Sequence, residues 1–368
     1  MESASNLKVL ILSMSDTIFH KELAEQLSKK SVYVKRVIFG SNAKSFAKLF
    51  NFVKCVKNVS SLSNEFDILN VHYVDPYVRI VLPILTKLGI PKYKKIILTI
   101  YGSDYYKINE RQKRQLKRVI EISDKVTFIN ESTLKDFDEF FGGKYSDKLT
   151  IVRFGSVNME KIRELSEKAD KKVLRKEFGI PTDKIVITCG YNALEDQQHE
   201  KIIFELSKLP DDTKKKIFLV FPMTYGANRE KRVDTVQKLT LENKFDYFIL
   251  QNYADAETIA KLRIISDIMI NLRKTDQLSA SMLEHLFAGN YVITGTWLPY
   301  DSLISRGVEL IRISDFEELS GKIEQIILEI ESGNINYEKI KHNKEIAWEL
   351  NSWERNIDMW VKLYSGCF

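Results

Sequence analysis

The chain has 368 residues, of which 44% are hydrophobic and 29% charged, a composition typical of a folded protein. This length exceeds what one ordinary hydrophobic core needs and predicts two domains of about 150 to 200 residues each. The formal net charge of +6 is small and the basic residues lack interleaved aromatics, so nucleic-acid binding is not expected.

The amino terminus and the cysteines indicate a cellular compartment. The first apolar run is about six residues long, ends at Asp16 and has no basic region before it, which predicts a buried strand rather than a signal peptide. No stretch approaches the ~20 apolar residues of a membrane span. Cys55, Cys189 and Cys367 lie far apart without metal-binding spacing, which predicts reduced thiols in a cytoplasmic protein.

Short β-branched, apolar runs alternate with amphipathic runs through the first part of the chain. The predicted strands are 8–13, 32–39, 67–72, 95–101, 125–130 and 148–154. The predicted helices are 19–30, 78–88, 110–123 and 132–141. Strands separated by helices predict a parallel, doubly wound sheet.

A highly charged segment, 158–178, then interrupts the pattern and is predicted to be a helical bridge. The strands expected beyond it are 185–189, 217–221, 246–250, 268–272, 291–294 and 308–313. Helices are expected between them, including 200–208, 228–242 and 315–331, and the chain ends in a helical segment, 337–363, with three tryptophans. The predicted fold class is therefore α/β, with two Rossmann-like domains that face each other across a ligand cleft.

The most informative stretch is MINLRKTDQLSASMLEHLFAGNYVITG, in which a strand leads through a polar loop into a helix ending at Gly289. Asp276 and Glu284 lie in this loop and helix with seven residues between them. The loop and the start of the helix add two cations and two hydroxyls: Arg273, Lys274, Ser279 and Ser281. In α/β sheets, ligands bind where strand ends meet helix N-termini, so these side chains predict an anionic, hydroxyl-rich ligand such as a nucleotide sugar.

Several motifs carry a family resemblance over nearly the whole chain. The runs FDILNVHYVDP, IILTIYGSDYY, SDKVTFINES, KLTIVRFGSVN and DQLSASMLEHLFAGNYVITG, and the closing NSWERNIDMWVKLY, resemble the GT-B glycosyltransferases with an acid-x7-Glu signature. GYNALEDQQHEKI and FPMTYGANREKRVDTVQ resemble the bacterial 4-acetamidofucosyl transferases, which act on lipid-linked common-antigen intermediates. The resemblance implies an acceptor-binding domain, 1–165, completed by a last helix within about 345–368, and a donor-binding domain, 175–340.

The resemblance also implies roles for the signature residues. The family's second acid holds the ribose hydroxyls of the donor, which corresponds to Glu284, and its first acid, usually Glu, lies near the donor sugar, where this chain has Asp276. Tyr191 stands where the family has a phosphate-binding Arg, so Arg273 and Lys274 are expected to neutralise the diphosphate. Further candidate donor contacts, each with a structural role as the alternative, are Gly190, Asn192, His199, Tyr225, Asn252 and Tyr253.

The acceptor side is less determined. The candidate acceptor contacts are His72, Tyr101, Gly102 and Ser103. The family commonly has His where Tyr101 stands, so no imidazole is available there. If the reaction inverts the anomeric centre, Asp16, His20 and Asp104 are the candidate general bases, whereas a retaining reaction needs none. Asp104 is alternatively a cap of the following segment.

Two basic segments suggest a surface that contacts a membrane. Residues 109–118 carry five basic side chains on one predicted helix, and residues 86–95 carry four lysines. They are interpreted either as a solvated helix face or as a docking surface for an anionic leaflet. The second interpretation gives a cytoplasmic protein, peripheral on the inner face of the cell membrane.

The function that the resemblance implies is transfer of a hexose-type sugar from a UDP-, GDP- or dTDP-linked donor to a glycan acceptor. The acceptor would be linked to a polyprenyl diphosphate, and the pathway would be bacterial surface polysaccharide biosynthesis. No metal or cofactor is expected, because the resembled fold needs none. Two alternatives remain open: a nucleotide-sugar 2-epimerase of the same fold, and a non-catalytic carbohydrate- or nucleotide-binding subunit.

Overall fold

A computed structural model describes residues 7–40, 47, 50–54, 57, 62, 65–90 and 92–366. The chain divides into two compact units: unit 1 is Met1–Gly155 with Trp353–Phe368, and unit 2 is Ser156–Ser352. Cys55 and Cys367 lie outside the described residues, whereas Cys189 is a free, buried thiol. Within the described ranges, no helix is both long and apolar enough to cross a bilayer.

Unit 1 contains a six-stranded parallel sheet with the strand order β2-β1-β3-β4-β5-β6. The strands are β1 (Lys8–Ser13), β2 (Tyr33–Ile38), β3 (Ile68–His72), β4 (Lys95–Thr99), β5 (Lys125–Phe128) and β6 (Leu149–Ile151). The helices are α1 (Ile18–Lys29), α2 (Leu82–Lys87), α3 (Ser103–Tyr106), α4 (Glu110–Glu121) and α5 (Glu131–Phe140). A π-helical turn, Tyr77–Val81, precedes α2. Every residue of β3 is buried, as expected of a central parallel strand covered on both faces.

Unit 2 contains a second six-stranded parallel sheet, with the order β12-β11-β10-β7-β8-β9. Its strands are β7 (Ile185–Cys189), β8 (Ile217–Pro222), β9 (Asp246–Leu250), β10 (Ile268–Asn271), β11 (Tyr291–Gly295) and β12 (Ile311–Ile313). Its helices are α6 (Val157–Ser166), α7 (Lys171–Glu177), α8 (His199–Leu206), α9 (Asp211–Lys216), α10 (Arg229–Glu242), α11 (Ala256–Ile265), α12 (Ala280–Ala288), α13 (Asp301–Ile304), α14 (Leu319–Ser332) and α15 (Tyr337–Asn351).

Two segments predicted as continuous helices are interrupted, which corrects the prediction. The bridge 158–178 consists of α6 and α7, and Asp170 between them caps α7 by accepting a hydrogen bond from the Lys172 N–H at 2.7 Å. The last segment, 337–363, consists of α15 and a final helix α16 (Trp353–Ser365), and the division between the units falls at this break. Both breaks are polar positions within an otherwise continuous amphipathic pattern, which periodicity alone does not resolve.

Helix α16 completes unit 1 although it follows unit 2 in sequence. The Trp360 indole N–H donates to the Arg153 carbonyl oxygen at 2.8 Å, and Asn70 on β3 donates to the Tyr364 hydroxyl at 2.8 Å. Trp353 lies against Gly155, where an added Cβ would stand 2.4 Å from the indole. Trp353 and Trp360 are therefore core residues of unit 1.

In both sheets the chain reverses its direction of strand addition once. The reversal lies between β1 and β3 in unit 1 and between β7 and β10 in unit 2. In open α/β sheets, ligands bind beyond the carboxyl ends of the strands at this position. Each unit therefore has one edge at which a ligand site is expected.

Candidate functional site

The segments that follow β7 and β10 lie side by side at the reversal point of unit 2. The Gly190 N–H, one residue beyond β7, donates to the Ile270 carbonyl oxygen of β10 at 3.0 Å. The loop after β10 carries Arg273 and Asp276, and the turn after β7 carries Tyr191. The order of the strands thus brings together three residues that were selected from the sequence: Tyr191, Arg273 and Asp276.

Arg273 is the centre of a buried polar cluster. Its guanidinium forms ion pairs with Asp276 Oδ1 at 3.1 Å and Asp196 Oδ2 at 3.3 Å, and it donates to the Tyr191 hydroxyl. The side chains of Arg273 and Asp276 are 14% and 9% exposed. One cation that faces two carboxylates in a dry site is a ready partner for an anionic ligand that displaces one of them.

Tyr300, which follows β11, completes this cluster and was missed by the sequence analysis. Its hydroxyl donates to Asp276 Oδ2 and accepts a hydrogen bond from the Asn271 amide at 3.0 Å. Burial, followed by the nearby Asp276 carboxylate, raises the pKa of Tyr300, so the hydroxyl stays protonated and holds the carboxylate in place. Asp276 is therefore fixed by two neighbours.

Lys274 has a different ion-pair partner from Arg273. Its Nζ forms an ion pair with Glu195 Oε1 at 2.7 Å, and its side chain is 49% exposed. Its backbone N–H donates to the Asp196 carbonyl oxygen at 3.0 Å, which ties the β10 loop to the turn Glu195–Gln197. The structure therefore places the two adjacent cations beside different partners.

The N-terminus of α12 begins four residues after Asp276. Ser279 caps the helix by accepting a hydrogen bond from the Met282 N–H at 3.2 Å. The Ser281 hydroxyl is buried and has no hydrogen-bond partner among the described residues. A helix N-terminus carries partial positive charge and unpaired N–H groups, which favours a ligand oxygen at this end.

Glu284, one turn into α12, is buried and already held by three donors. Its Oε1 accepts hydrogen bonds from the Ser156 hydroxyl and the Asn158 amide, both at 2.8 Å. Its Oε2 accepts from Arg263 Nε at 3.1 Å, and the two side chains are 3% and 5% exposed. A carboxylate has about four acceptor positions, so roughly one remains.

The turn after β7 needs Gly190 for structural reasons. Its φ is +66°, and an added Cβ would stand 2.6 Å from Gln197 Oε1 and 2.9 Å from His199 Nε2. His199 is buried, burial lowers its pKa to about 4, and its Nε2 has no partner among the described residues. A neutral imidazole with one unused ring nitrogen therefore lies directly beneath this turn.

The other donor candidates lie further along the sheet. The Asn192 amide donates to the hydroxyl of Tyr225, which is 55% exposed, at 3.3 Å. Asn252 and Tyr253 follow the edge strand β9, and Tyr253 is 86% exposed. Within the described part of the chain, no hydrogen bond or ion pair joins Asn252 or Tyr253 to Arg273.

Unit 1 holds a buried pair of histidines at its own reversal point. His72, at the end of β3, lies 2.9 Å through its Nδ1 from the Tyr101 hydroxyl. The His20 ring packs edge-on against His72, with centroids 4.8 Å apart. Burial lowers the pKa of His20 to about 4 and that of His72 well below its usual range, so both rings are neutral at pH 7.

Asp104 is buried beside this pair and serves the backbone. It accepts hydrogen bonds from the N–H groups of Val74 at 2.9 Å and Tyr101 at 3.0 Å, and burial raises its pKa to about 6. Gly102 has φ +91°, and the Ser103 hydroxyl lies 3.3 Å from the Tyr73 hydroxyl. Asp104 therefore organises the loop after β4, whatever further role it has.

Asp16 lies apart from the histidine pair. It forms ion pairs with Arg36 at 2.6 Å and Lys21 at 3.2 Å, and its side chain is 44% exposed. A carboxylate bound by two cations is a weak base. Of the three base candidates in unit 1, His20 is the neutral group in the aromatic pocket.

No protein-family model and no curated protein sequence matches the chain. Solved structures do match: HepE of Anabaena with UDP and glucose (TM-score 0.72, 13% identity, 98% of this chain and 100% of HepE) and sucrose-phosphate synthase of Thermosynechococcus elongatus (0.75, 13%, 98% and 99%). A glycosyltransferase of Rickettsia africae also matches (0.70, 15%, 98% and 98%).

The chain has the GT-B fold. The prediction of an α/β protein with two Rossmann-like domains is thereby confirmed, since both parallel sheets and nearly all of the chain align with these structures. At such low identity the similarity concerns the fold and not the reaction.

Several partners of the candidate residues in unit 2 escaped the sequence analysis. Asp196 and Tyr300 join the Arg273 cluster, and Arg263 pairs with Glu284. Arg263 had a readable signal, since it is a charged residue within the largely apolar sequence of α11, AETIAKLRII. For metal binding, the described residues contain no group of three or more His, Cys, Asp or Glu side chains placed to hold an ion.

Proposed function

We propose that this protein is a glycosyltransferase that binds a nucleotide-sugar donor on unit 2 and a glycan acceptor on unit 1. The observation that carries the proposal is the position of Arg273, buried with two carboxylates at the β7/β10 reversal point beside the N-terminus of α12. Crystal structures of the fold relative HepE contain UDP, UDP-glucose, or UDP and glucose. A nucleoside diphosphate sugar is thus the ligand class that best fits.

The proposed chemistry begins with the leaving nucleotide. As the bond from the sugar to the diphosphate breaks, negative charge grows on the phosphate oxygens. Arg273 and the N–H groups at the start of α12 would stabilise that charge, because both are fixed before the reaction and lie in a site of low dielectric constant. Ser281, whose buried hydroxyl lacks a protein partner among the described residues, would donate to the same oxygens.

Asp276 and Glu284 would hold the two ends of the donor. Asp276 would accept hydrogen bonds from hydroxyls of the donor sugar once the incoming phosphate weakens the ion pair between Asp276 and Arg273. Glu284 would receive a ribose hydroxyl at its remaining acceptor position, or in exchange for Ser156 or Asn158. The nucleobase would lie toward Asn252 and Tyr253, beyond β9.

On unit 1, the neutral histidine pair supports an acceptor hydroxyl. The pKa values of both His20 and Asp16 are lowered, so position rather than base strength distinguishes them: His20 packs against His72, whereas Asp16 is engaged with two cations. His20 is therefore the general base that we propose for an inverting reaction, with Tyr101 and His72 positioning it. A retaining reaction would leave the same pocket as a binding surface alone.

The acceptor that we propose is linked to a polyprenyl diphosphate at the inner face of a bacterial membrane, during synthesis of a surface polysaccharide. Ile80, Ile84 and Leu88 are 37%, 52% and 70% exposed and are spaced four residues apart along the π-turn and α2. Helix α4 packs along this segment and carries Arg111 and Arg114 exposed to solvent. Exposed apolar residues beside basic ones suit the surface of an anionic bilayer, at ~1 kcal/mol per basic residue.

Donor binding is tested by thermal-shift titration with UDP-, GDP- and dTDP-sugars. A ligand that binds the folded state raises the melting temperature by mass action. Arg273→Met should abolish the shift given by the best donor, whereas Lys274→Met, which removes the adjacent cation, should retain it. Equal shifts in both variants would remove Arg273 from the phosphate site.

The reaction is tested by product analysis with the best donor. Release of free nucleotide together with sugar transfer supports the glycosyltransferase. An epimerised sugar would support the 2-epimerase, and binding without release of nucleotide by any acceptor would support a non-catalytic subunit.

Membrane contact is tested by flotation with vesicles of phosphatidylglycerol or of phosphatidylcholine. Wild-type protein should float with the anionic vesicles alone, and Leu88→Asp should stay in solution. Leu328→Asp is the matched control, because Leu328 is 66% exposed on unit 2. Flotation of Leu88→Asp at the wild-type level would contradict this docking surface.

A further inference from the structure

A pocket opens on unit 2 beyond the carboxyl ends of β11 and β12. It has a volume of about 290 Å³ and is lined by Gln198, Lys274, Trp297, Ser314, Asp315 and Phe316. Small-molecule sites are concave and combine apolar or aromatic walls with a few polar groups. Of these residues, the function proposed above uses none.

The wall of the pocket is an aromatic pair that is fixed in position. Trp297 and Phe316 stack with ring centroids 5.9 Å apart and planes inclined by 21°. The Trp297 indole N–H donates to the Arg273 carbonyl oxygen at 2.7 Å. Gly295 leaves the space for the indole, since an added Cβ would lie 2.3 Å from it. Hydrogen bonding and packing therefore fix the position of the Trp297 ring.

Trp297 nevertheless remains 39% exposed. A rigid indole that is fixed but left in contact with solvent offers a large apolar surface at little cost in side-chain entropy on binding. Trp348, Trp353 and Trp360 are all less exposed than Trp297. Exposure of this one tryptophan indicates a surface that a ligand covers.

The groups around the Trp297–Phe316 pair include both positively and negatively charged side chains. Lys201 Nζ lies 5.1 Å from the centre of the Phe316 ring, and Lys274 Nζ is half-exposed beside Glu195. The Asp315 carboxylate caps the following turn by accepting from the Glu317 N–H at 3.1 Å and is exposed. The Asp315 carboxylate and the Lys274 ammonium together supply both an acceptor and a donor to the hydroxyls of a neutral polyol.

We propose that Trp297 and Phe316 form a carbohydrate-binding platform for a glycan residue other than the donor sugar. The apolar C–H face of a pyranose would cover the aromatic pair, and its hydroxyls would bond to Asp315 and Lys274. The assignment of this glycan as part of the acceptor rests on the function proposed above. Binding of a saccharide to the platform does not depend on that function, because the pocket belongs to unit 2 alone and needs no nucleotide.

Binding is tested without donor, by intrinsic tryptophan fluorescence and by saturation-transfer NMR with two probes, maltotriose and chitotriose, at up to about 10 mM. At least one trisaccharide should change the emission saturably and give saturation-transfer signals. Trp297→Ala should weaken binding about tenfold or more. Tyr337→Ala is the matched control, since Tyr337 is a 69%-exposed aromatic of the same unit and should bind as wild type.

A second variant guards against a distorted β10 loop in Trp297→Ala. Phe316→Leu keeps the apolar contact of residue 316 with the core but removes the stacking, and it should also weaken trisaccharide binding. Phe316→Leu should retain the thermal shift given by the nucleotide-sugar donor, because it leaves Arg273 and its hydrogen bond with Trp297 in place.

The outcomes separate the two proposals. No binding of either trisaccharide, or unchanged trisaccharide binding in both variants, would each overturn the platform. Loss of donor binding in the Arg273→Met experiment has no bearing on the platform. Saccharide binding in a protein that binds no nucleotide sugar would retain the platform and remove the glycosyltransferase.

Discussion

Removal of the Glu284 carboxylate should destabilise unit 2 in addition to weakening donor binding. Glu284 and Arg263 form an ion pair in which both side chains are at most 5% exposed, and the same carboxylate satisfies Ser156 and Asn158. Glu284→Ala leaves the Arg263 guanidinium buried without its counter-charge. Breaking a buried pair in this way costs about 3–5 kcal/mol.

This free energy converts to a large change in melting temperature. For a domain of this size, 1 kcal/mol corresponds to about 2–4 °C, so Glu284→Ala should melt about 6–20 °C below wild type. Glu309→Ala is the control, because Glu309 pairs with Lys339 at the surface with side chains 48% and 54% exposed. An exposed ion pair contributes at most about 1 kcal/mol to the free energy of unfolding, so the melting temperature of the control should fall by only a few degrees.

A double variant separates stability from ligand contact. Arg263→Met with Glu284→Leu replaces the ion pair by apolar side chains and should recover the part of the lost melting temperature that comes from the unpaired Arg263 charge, whereas Ser156 and Asn158 still lack their Glu284 acceptor. Because the carboxylate is absent, the double variant should still lack the shift induced by the nucleotide sugar. Differential scanning fluorimetry with and without donor measures both quantities.

Two results would refute this reasoning in different ways. If Glu284→Ala melts within about 2 °C of wild type, the carboxylate does not have the buried partners described above. If the double variant folds and keeps the full donor-induced shift in melting temperature, Glu284 has a structural role and the ribose assignment is wrong.

Two further predictions concern the turn after β7. Gly190→Ala should lower the free energy of unfolding by more than Gly333→Ala, because both have positive φ but only Gly190 has side-chain atoms within 3 Å of an added Cβ; equal urea midpoints would contradict this. His199 has a folded pKa of about 4, below its unfolded value, so the stability that its neutral form contributes is present above pH 6.5 and is lost as pH falls toward 4, by about 3 kcal/mol. His199→Gln should therefore show a shallower decline of unfolding free energy between pH 6.5 and 4, and an unchanged slope would show that His199 titrates normally.

The alternation of apolar and amphipathic runs was sufficient to predict the fold class. β1, β7 and β9 have the bounds expected from the sequence, and α12 ends at Ala288, one residue before the predicted end, with Gly289 as its C-cap. These features depend on neighbours within a few residues, namely β-branched runs and terminal glycines, so the local sequence encodes them. Polar interruptions such as Asp170 and Ser352 were harder to interpret, because a polar residue is equally compatible with the exposed face of a continuous helix.

The sequence by itself determined the two α/β units and the loop that carries Arg273 and Asp276. Only the tertiary structure decided which residues meet there. Tyr300 reaches Asp276 because β11 lies beside β10, and Arg263 reaches Glu284 because α11 packs on α12. The physical reason is that contacts between distant residues follow from strand order and helix packing, whereas hydrophobic periodicity records only which face of each element is buried.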